Sequence, residues 1–255
     1  MSRNNSKSNP LKRWILIALA VILAGTLIWG ISWATYARPP LPEALIALES
    51  DDLVEVSQDP WLTFTPTGDI KAGLIFYPGG RIDPRGYSNM MRFIAEEGYL
   101  VVVPSMPINM AIFDANAADE IIDYFSKINS WGIAGHSVGG TSAAIYTANN
   151  PGKIAGLAIW ASYPPNSTDL SGADLPVYSI YGELDPGVNR PAIDERKSIM
   201  PPDTVYLEIA GGDHHQFGSY LIEPDQDLST TPREVQQEQI IEGTLDMLAE
   251  ISGVQ

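Results

Sequence analysis

The chain has 255 residues with an apolar content of 45%, enough for one sizeable core, and its Gly 22 and Pro 20 fit a globular protein rather than a collagen-like or disordered one. It holds no cysteine, which excludes disulfides, thiolate nucleophiles and cysteine-based zinc sites. The formal net charge is −16, and four of the 15 basic residues (Arg3, Lys7, Lys12, Arg13) but none of the acidic ones lie in the first 37 positions, so the rest of the chain is strongly acidic; such a surface repels phosphate backbones, and nucleic acid is not expected as a partner.

Residues 14–37 form a 24-residue run without a charge. At about 1.5 Å per residue a helix of this length crosses a hydrocarbon core of about 30 Å. The basic residues before it, and Trp29, Trp33 and Tyr36 toward its far end, follow the positive-inside bias and the aromatic interfacial belt. The expectation is a single-pass anchor in the cell membrane, with residues 1–13 cytoplasmic and the remainder on the outer face. A cleavable signal peptide is the rival, but its apolar region is shorter and its cleavage site small-residue, for which Thr35-Tyr36-Ala37 is a poor match. Residues 38–51 open with Arg38-Pro39-Pro40-Leu41-Pro42 and are expected to be a stiff linker before a catalytic domain at 52–255.

Residues 52–57 and 61–65 alternate apolar and polar around Gln58-Asp59-Pro60, which predicts an antiparallel pair at a sheet edge. The pattern then changes to continuous apolar runs at 72–77, 99–103, 131–134, 154–160 and 177–181, as strands covered on both faces require. Helical periods separate them: residues 87–97, closed by Gly98; 116–128, with Ile121, Ile122, Phe125 and Ile128 on one side; and 138–149, stopped by Asn150-Pro151-Gly152. A weaker helix is expected over 190–200 and a further strand over 204–209. Thr231-Pro232-Arg233-Glu234 suggests an N-cap, a first-turn proline and a capping box opening a helix to about residue 251. Alternation of buried strand with helix predicts an α/β fold, a mainly parallel twisted sheet with helices on both faces.

Within this frame Gly135-His136-Ser137-Val138-Gly139 fits G-x-S-x-G between a strand and a helix, the elbow that holds a serine in a strained turn with its hydroxyl exposed. Ligands of open α/β sheets gather beyond the carboxyl ends of the strands. Pro78-Gly79-Gly80-Arg81, Ser137, Asp185 and His214 all fall there, in the order serine, aspartate, histidine.

Those stretches, with Tyr181-Gly182-Glu183-Leu184-Asp185 and Gly211-Gly212-Asp213-His214-His215-Gln216-Phe217-Gly218, resemble the α/β-hydrolase superfamily, in a small dienelactone-hydrolase-like branch with a serine nucleophile, over about residues 72–251. The chain differs from dienelactone hydrolases proper, which use cysteine, and from dehalogenase relatives, which carry aspartate at the elbow. The resemblance implies Ser137 as nucleophile, His214 as general base and Asp185 as the acid that orients it. His215 stands beside His214 as a competitor, and Glu183 and Asp213 beside Asp185. His136, adjacent to Ser137, is expected to point away from the hydroxyl and to be structural. The expected oxyanion donors are the backbone N–H groups of Val138 and Gly80.

The expected activity is that of a carboxylesterase-like serine hydrolase cleaving an ester or related acyl bond of a small molecule through an acyl-serine, with no cofactor and no metal. Acyl transfer on the same residues and a catalytically silent, membrane-tethered binding module are the alternatives. Residues 163–176 are too few for a helical lid, so an open site is expected. Trp160, Tyr163, Phe217 and Tyr220 are candidates to line an acyl pocket, though aromatic residues in such places more often belong to the core, and Arg81 and Arg85 are candidates to attract an anionic substrate, though simple solvated charge is the commoner role for them.

Overall fold

A computed structural model of the chain describes residues 10–253. It divides into two units, one ending at Tyr36 and one beginning at Ala37. The first is a single helix, α1 (Pro10–Thr35), which takes in Lys12 and Arg13 and stops two residues before the end of the charge-free run. It contains one stretch, Leu11–Trp33, long and apolar enough to cross a membrane. Arg3 and Lys7, part of the expected cytoplasmic terminus, lie outside the described residues.

The second unit follows the order α2 (Pro42–Ile46), β1 (Val54–Ser57), β2 (Leu62–Pro66), β3 (Ala72–Tyr77), α3 (Ser88–Glu96), β4 (Tyr99–Val103), α4 (Ala118–Tyr124), β5 (Trp131–His136), α5 (Val138–Asn149), β6 (Gly156–Trp160), β7 (Val177–Gly182), α6 (Arg190–Asp194), β8 (Val205–Ile209) and α7 (Arg233–Ser252). Its eight strands form one sheet in the order β1-β2-β4-β3-β5-β6-β7-β8. β1 and β2 pair antiparallel at one edge and β2 joins β4 antiparallel, while the pairs from β4 through β8 are parallel.

Period-two alternation splits the core into two layers. Leu74 and Phe76 of β3, with Val101 and Val103 of β4, face Met90, Met91 and Ile94 of α3 and Ile240, Met247 and Leu248 of α7. Ile75 and Tyr77, with Leu100 and Val102, face Ile121 of α4 and Ala143, Ala144 and Tyr146 of α5. Continuous apolar strands are therefore read correctly as buried on both faces. α7 is held on its face by buried positions at Ile240, Thr244, Met247 and Leu248, and it ends where Gly253 takes a left-handed conformation (φ 66°).

Several expectations need correction. Residues 38–51 are no spacer: Arg38 bridges Ile82 and Pro40 bridges Tyr220, and Ala44 of α2 is fully buried. The prolines that stiffen this segment also suit it to run along an edge without needing every amide paired. The helix at 116–128 is shorter because Phe125 leaves helical geometry (φ −92°, ψ 47°) and packs against Trp131 and Trp61. The helix at 190–200 breaks into α6, capped by Asn189 Oδ1 on the Ala192 N–H at 3.2 Å, and a separate 3-10 turn at Lys197–Ile199. The capping box at Thr231 does not form. Pro232 takes the N-cap position without a side-chain cap, since the Thr231 N–H is engaged by the Gly211 carbonyl at 3.3 Å.

Candidate active site

β5 delivers the chain to a sharp turn in which Ser137 adopts φ 54°, ψ −123°, a region costly for any residue with a Cβ. Its neighbours make the turn possible. A Cβ on Gly135 would lie 2.5 Å from the backbone of Gly139, and one on Gly139 would lie 2.5 Å from the Pro78 carbonyl oxygen and closer still to that of Tyr77. The serine is pinned at both ends, its N–H on the Trp160 carbonyl at 2.9 Å and its own carbonyl accepting from Thr141 at 3.1 Å. The strain is thus confined to one residue, whose hydroxyl stands at the end of the sheet.

The loops after β7 and β8 bring two further groups to it. His214 Nε2 lies 3.0 Å from Ser137 Oγ, and His214 Nδ1 lies 2.6 Å from Asp185 Oδ2. An ionised carboxylate can only accept, so Nδ1 carries the proton and Nε2 offers its lone pair to the serine hydroxyl. Asp185 is buried, and its other oxygen accepts from the N–H groups of Gly187 and Val188, both at 2.8 Å. With three donors shared between its two oxygens, the carboxylate is held in one orientation.

The competitors have other partners. Glu183 is exposed and accepts from the Gly211 N–H at 2.9 Å. Asp213 is fully buried and accepts from the N–H groups of His215 (2.8 Å), Gln216 (3.2 Å) and Leu228 (2.9 Å), organising the loop that carries His214. Burial works to raise the pKa of its carboxyl, but the nearby His215 side chain, too far for a hydrogen bond, and the hydrogen bonds from these amides outweigh it and leave the net value below the usual range. His215 Nδ1 is 3.8 Å from Asp213 and the structure brings His214, not His215, to the serine. His136 points away from the hydroxyl, toward Tyr87.

Beside the serine, β3 ends in the turn Pro78-Gly79-Gly80-Arg81. The Gly79 N–H is taken by Tyr87 Oη at 3.0 Å and the Arg81 N–H by the Asn109 carbonyl at 2.7 Å. Among the described residues no acceptor faces the Gly80 N–H, nor that of Val138, the first residue of α5, where the helix dipole adds partial positive charge. The two residues are neighbours: a Cβ on Gly80 would sit 3.0 Å from Val138 Cγ1.

The remaining expectations fare unevenly. Trp160, Phe217 and Tyr220 are buried in the core; Trp160 gives its indole N–H to Thr244 at 3.0 Å. Arg85 is held bidentate by Asp83 at 2.9 and 2.6 Å, which neutralises it as an anion attractor. Residues 163–176 contain no helix, as expected. What sequence reading missed is the segment between β4 and α4, whose 3-10 turns Pro107–Asn109 and Ala111–Phe113 bring Met110 against the Pro78–Arg81 turn, with Sδ 2.9 Å from where a Gly80 Cβ would stand. Only positive φ at Ile108 (45°) and Asn109 (55°) makes that approach, and nothing in the local pattern announces it.

The family model described as "Alpha/beta hydrolase family" matches residues 73–238, more than half of the chain, a span that includes the Pro78–Arg81 turn, Ser137, Asp185 and His214. Among solved structures the chain is similar to an alpha/beta hydrolase enzyme from the metagenome of sediments from the lagoon of Mar Chica, Morocco, at 16% identity and a TM-score of 0.53, covering 66% of this chain and 91% of that one. No curated protein matches the chain.

Proposed function

The chain belongs to the alpha/beta hydrolase family, and within it we propose a membrane-anchored serine hydrolase that cleaves a carboxylic ester or related acyl bond of a small molecule. The observation that carries this reading is the unbroken hydrogen-bonded run from Asp185 through His214 to Ser137, on a residue held at φ 54° next to two N–H groups with no other acceptor among the described residues. As Ser137 Oγ attacks the carbonyl carbon, His214 Nε2 takes its proton and Asp185 stabilises the imidazolium. The negative charge that develops on the carbonyl oxygen falls between the Gly80 and Val138 N–H groups, an arrangement worth several kcal/mol in comparable sites. His214 then returns the proton to the leaving oxygen, the alcohol departs, and water repeats the attack on acyl-Ser137 to release the acid.

The absence of a helix in 163–176 supports short, uncharged acyl esters over long-chain lipids. The anchor reading is supported by α1, whose apolar side chains such as Leu16, Leu23 and Ile28 are exposed along a helix long enough to span a bilayer. The orientation follows from the basic residues ahead of it, with the N-terminus cytoplasmic and the hydrolase unit outside.

The test is labelling of the detergent-solubilised full chain by a fluorophosphonate, with hydrolysis of p-nitrophenyl acetate alongside. Ser137→Ala is expected to abolish labelling and to lower turnover by about 10⁶-fold. Labelling that survives this change would remove Ser137 as the nucleophile, and turnover confined to long-chain esters would overturn the open-site reading. Retention in the membrane pellet after an alkaline wash, lost on deleting residues 1–36, tests the anchor.

A further inference from the structure

Tyr87 and His136 are both fully buried and polar, and neither has a step in the chemistry above. Tyr87 Oη accepts the Gly79 N–H at 3.0 Å and lies 2.8 Å from His136 Nδ1, while His136 Nε2 lies 3.1 Å from the carbonyl oxygen of His214. Only one placement of protons satisfies all three contacts. The His214 carbonyl can only accept, so Nε2 carries the hydrogen; Nδ1 is then bare in the neutral ring, and the tyrosine hydroxyl donates to it. Burial, reinforced by the nearby His214, holds the His136 pKa well below the usual histidine range, and burial pushes the Tyr87 phenol well above its own. Each therefore stays uncharged at neutral pH, and the direction of the hydrogen bonds does not reverse.

The rings are clamped as well. His136 stacks on Phe217 with 4° between planes, and Tyr87 packs on Phe76 with centroids 4.7 Å apart. A Cβ on Gly79 would lie 2.6 Å from His136 Nδ1 and 2.8 Å from Tyr87 Oη, so the pair closes this position to any side chain. Its two ends are the amide next to Gly80 and the backbone of the candidate base, and it passes through the residue that precedes Ser137. Packing alone would be served as well by two apolar side chains, since a buried polar pair gains little net stability and must be fully satisfied to avoid a cost.

We propose that Tyr87 and His136 are positioning residues: a buried hydrogen-bonded strut that sets the distance between the oxyanion turn and the His214 backbone, so that the Gly80 N–H and the His214 imidazole are held in register around Ser137. The inference rests on the serine-hydrolase reading. Displacing either end by about 1 Å is enough to cost on the order of 10²-fold in rate.

The test compares wild type, Tyr87→Phe, His136→Gln and His136→Ala as full chains in detergent, by p-nitrophenyl acetate turnover, the rate of fluorophosphonate labelling and thermal melting. Tyr87→Phe keeps the ring and is expected to lower kcat about 10- to 100-fold with KM within about threefold and labelling slowed in parallel. His136→Gln, which retains both a donor and an acceptor, is expected to keep at least about fivefold more kcat than His136→Ala at a similar melting temperature. A Tyr87→Phe enzyme with wild-type kcat overturns the strut, as does equal loss in the two His136 variants; the latter comparison decides the matter should Tyr87→Phe fail to fold. A wild-type chain that is neither labelled at Ser137 nor active overturns the hydrolase reading and the strut with it, whereas a labelled wild type and an equally reactive Tyr87→Phe removes the strut alone.

Discussion

Two regions meet at the candidate site and are held by different means. The elbow from β5 to α5 is fixed by backbone against backbone: Gly135, Gly139 and the carbonyls of Tyr77 and Pro78 lie so close that no side chain fits between them. The loop after β8, which carries His214, is fixed by side chains. Asp213 collects three amides, and the Gln236 side chain from α7 clamps the Asp213 backbone, accepting its N–H at 3.0 Å and donating to its carbonyl at 2.8 Å. Farther along, Gln216 reaches Asp227 at 3.2 Å. Ser137 is thus placed by sterics, which tolerate almost no substitution. His214 is placed by a polar network, which isosteric changes can weaken by degrees.

Four substitutions probe that difference. The largest effect is expected at Asp185, where the acid joins the two regions: Asp185→Asn preserves shape but permits the wrong tautomer of His214, and kcat on p-nitrophenyl acetate should fall about 10⁴-fold with little change in KM. Retained turnover would show that the carboxylate is not needed to orient the base. Gly139→Ala comes next, a backbone collision that no rotamer relieves; urea unfolding should show a loss of about 3 kcal/mol, or the chain should fail to fold. A stable, active Gly139→Ala would mean that the elbow relaxes more than its packing allows.

Asp213→Asn should cost about 2 kcal/mol, since the shape remains but one of the two accepting oxygens becomes an NH2 that cannot accept, leaving at least one backbone N–H without its partner. Its pH signature is specific. The folded carboxyl lies below the unfolded value of about 3.9, so its contribution is fully present above that value and is lost as pH falls through the folded one. As pH falls below about 4 the stability of wild type should therefore drop more steeply than that of Asp213→Asn, and parallel curves would discount the charge. The smallest effect is expected at exposed Glu183: replacing it with Gln keeps an acceptor for the Gly211 N–H and should change stability by less than about 1 kcal/mol and kcat by less than about twofold. A loss comparable to that at Asp185 would reopen the assignment of the acid.

Much of the architecture is legible from the residues because it depends on near neighbours. Apolar runs such as those of β3 and β5 declare strands covered on both faces, and the elbow declares itself through small residues spaced around one serine. Errors arise where a local signal is overridden from a distance. Thr231 reads as an N-cap, yet its amide is taken by Gly211, and Arg38 and Pro40 read as spacer, yet they dock on Ile82 and Tyr220. Trp160 and Phe217, candidates for an acyl pocket, are core residues. The Tyr87–His136 contact joins residues 49 apart, with no motif linking them.

The sequence by itself determined the strand-turn-helix around Ser137, the doubly covered sheet and a membrane-length apolar helix, since glycine sterics and hydrophobic period act over a few residues. Which histidine approaches Ser137, which carboxylate supports it and which glycine amide lies without an acceptor beside it were decided only in three dimensions. Those choices are hydrogen bonds between loops 29 and 77 residues apart, and they exist only after the parallel strands have brought their carboxyl ends to a common edge.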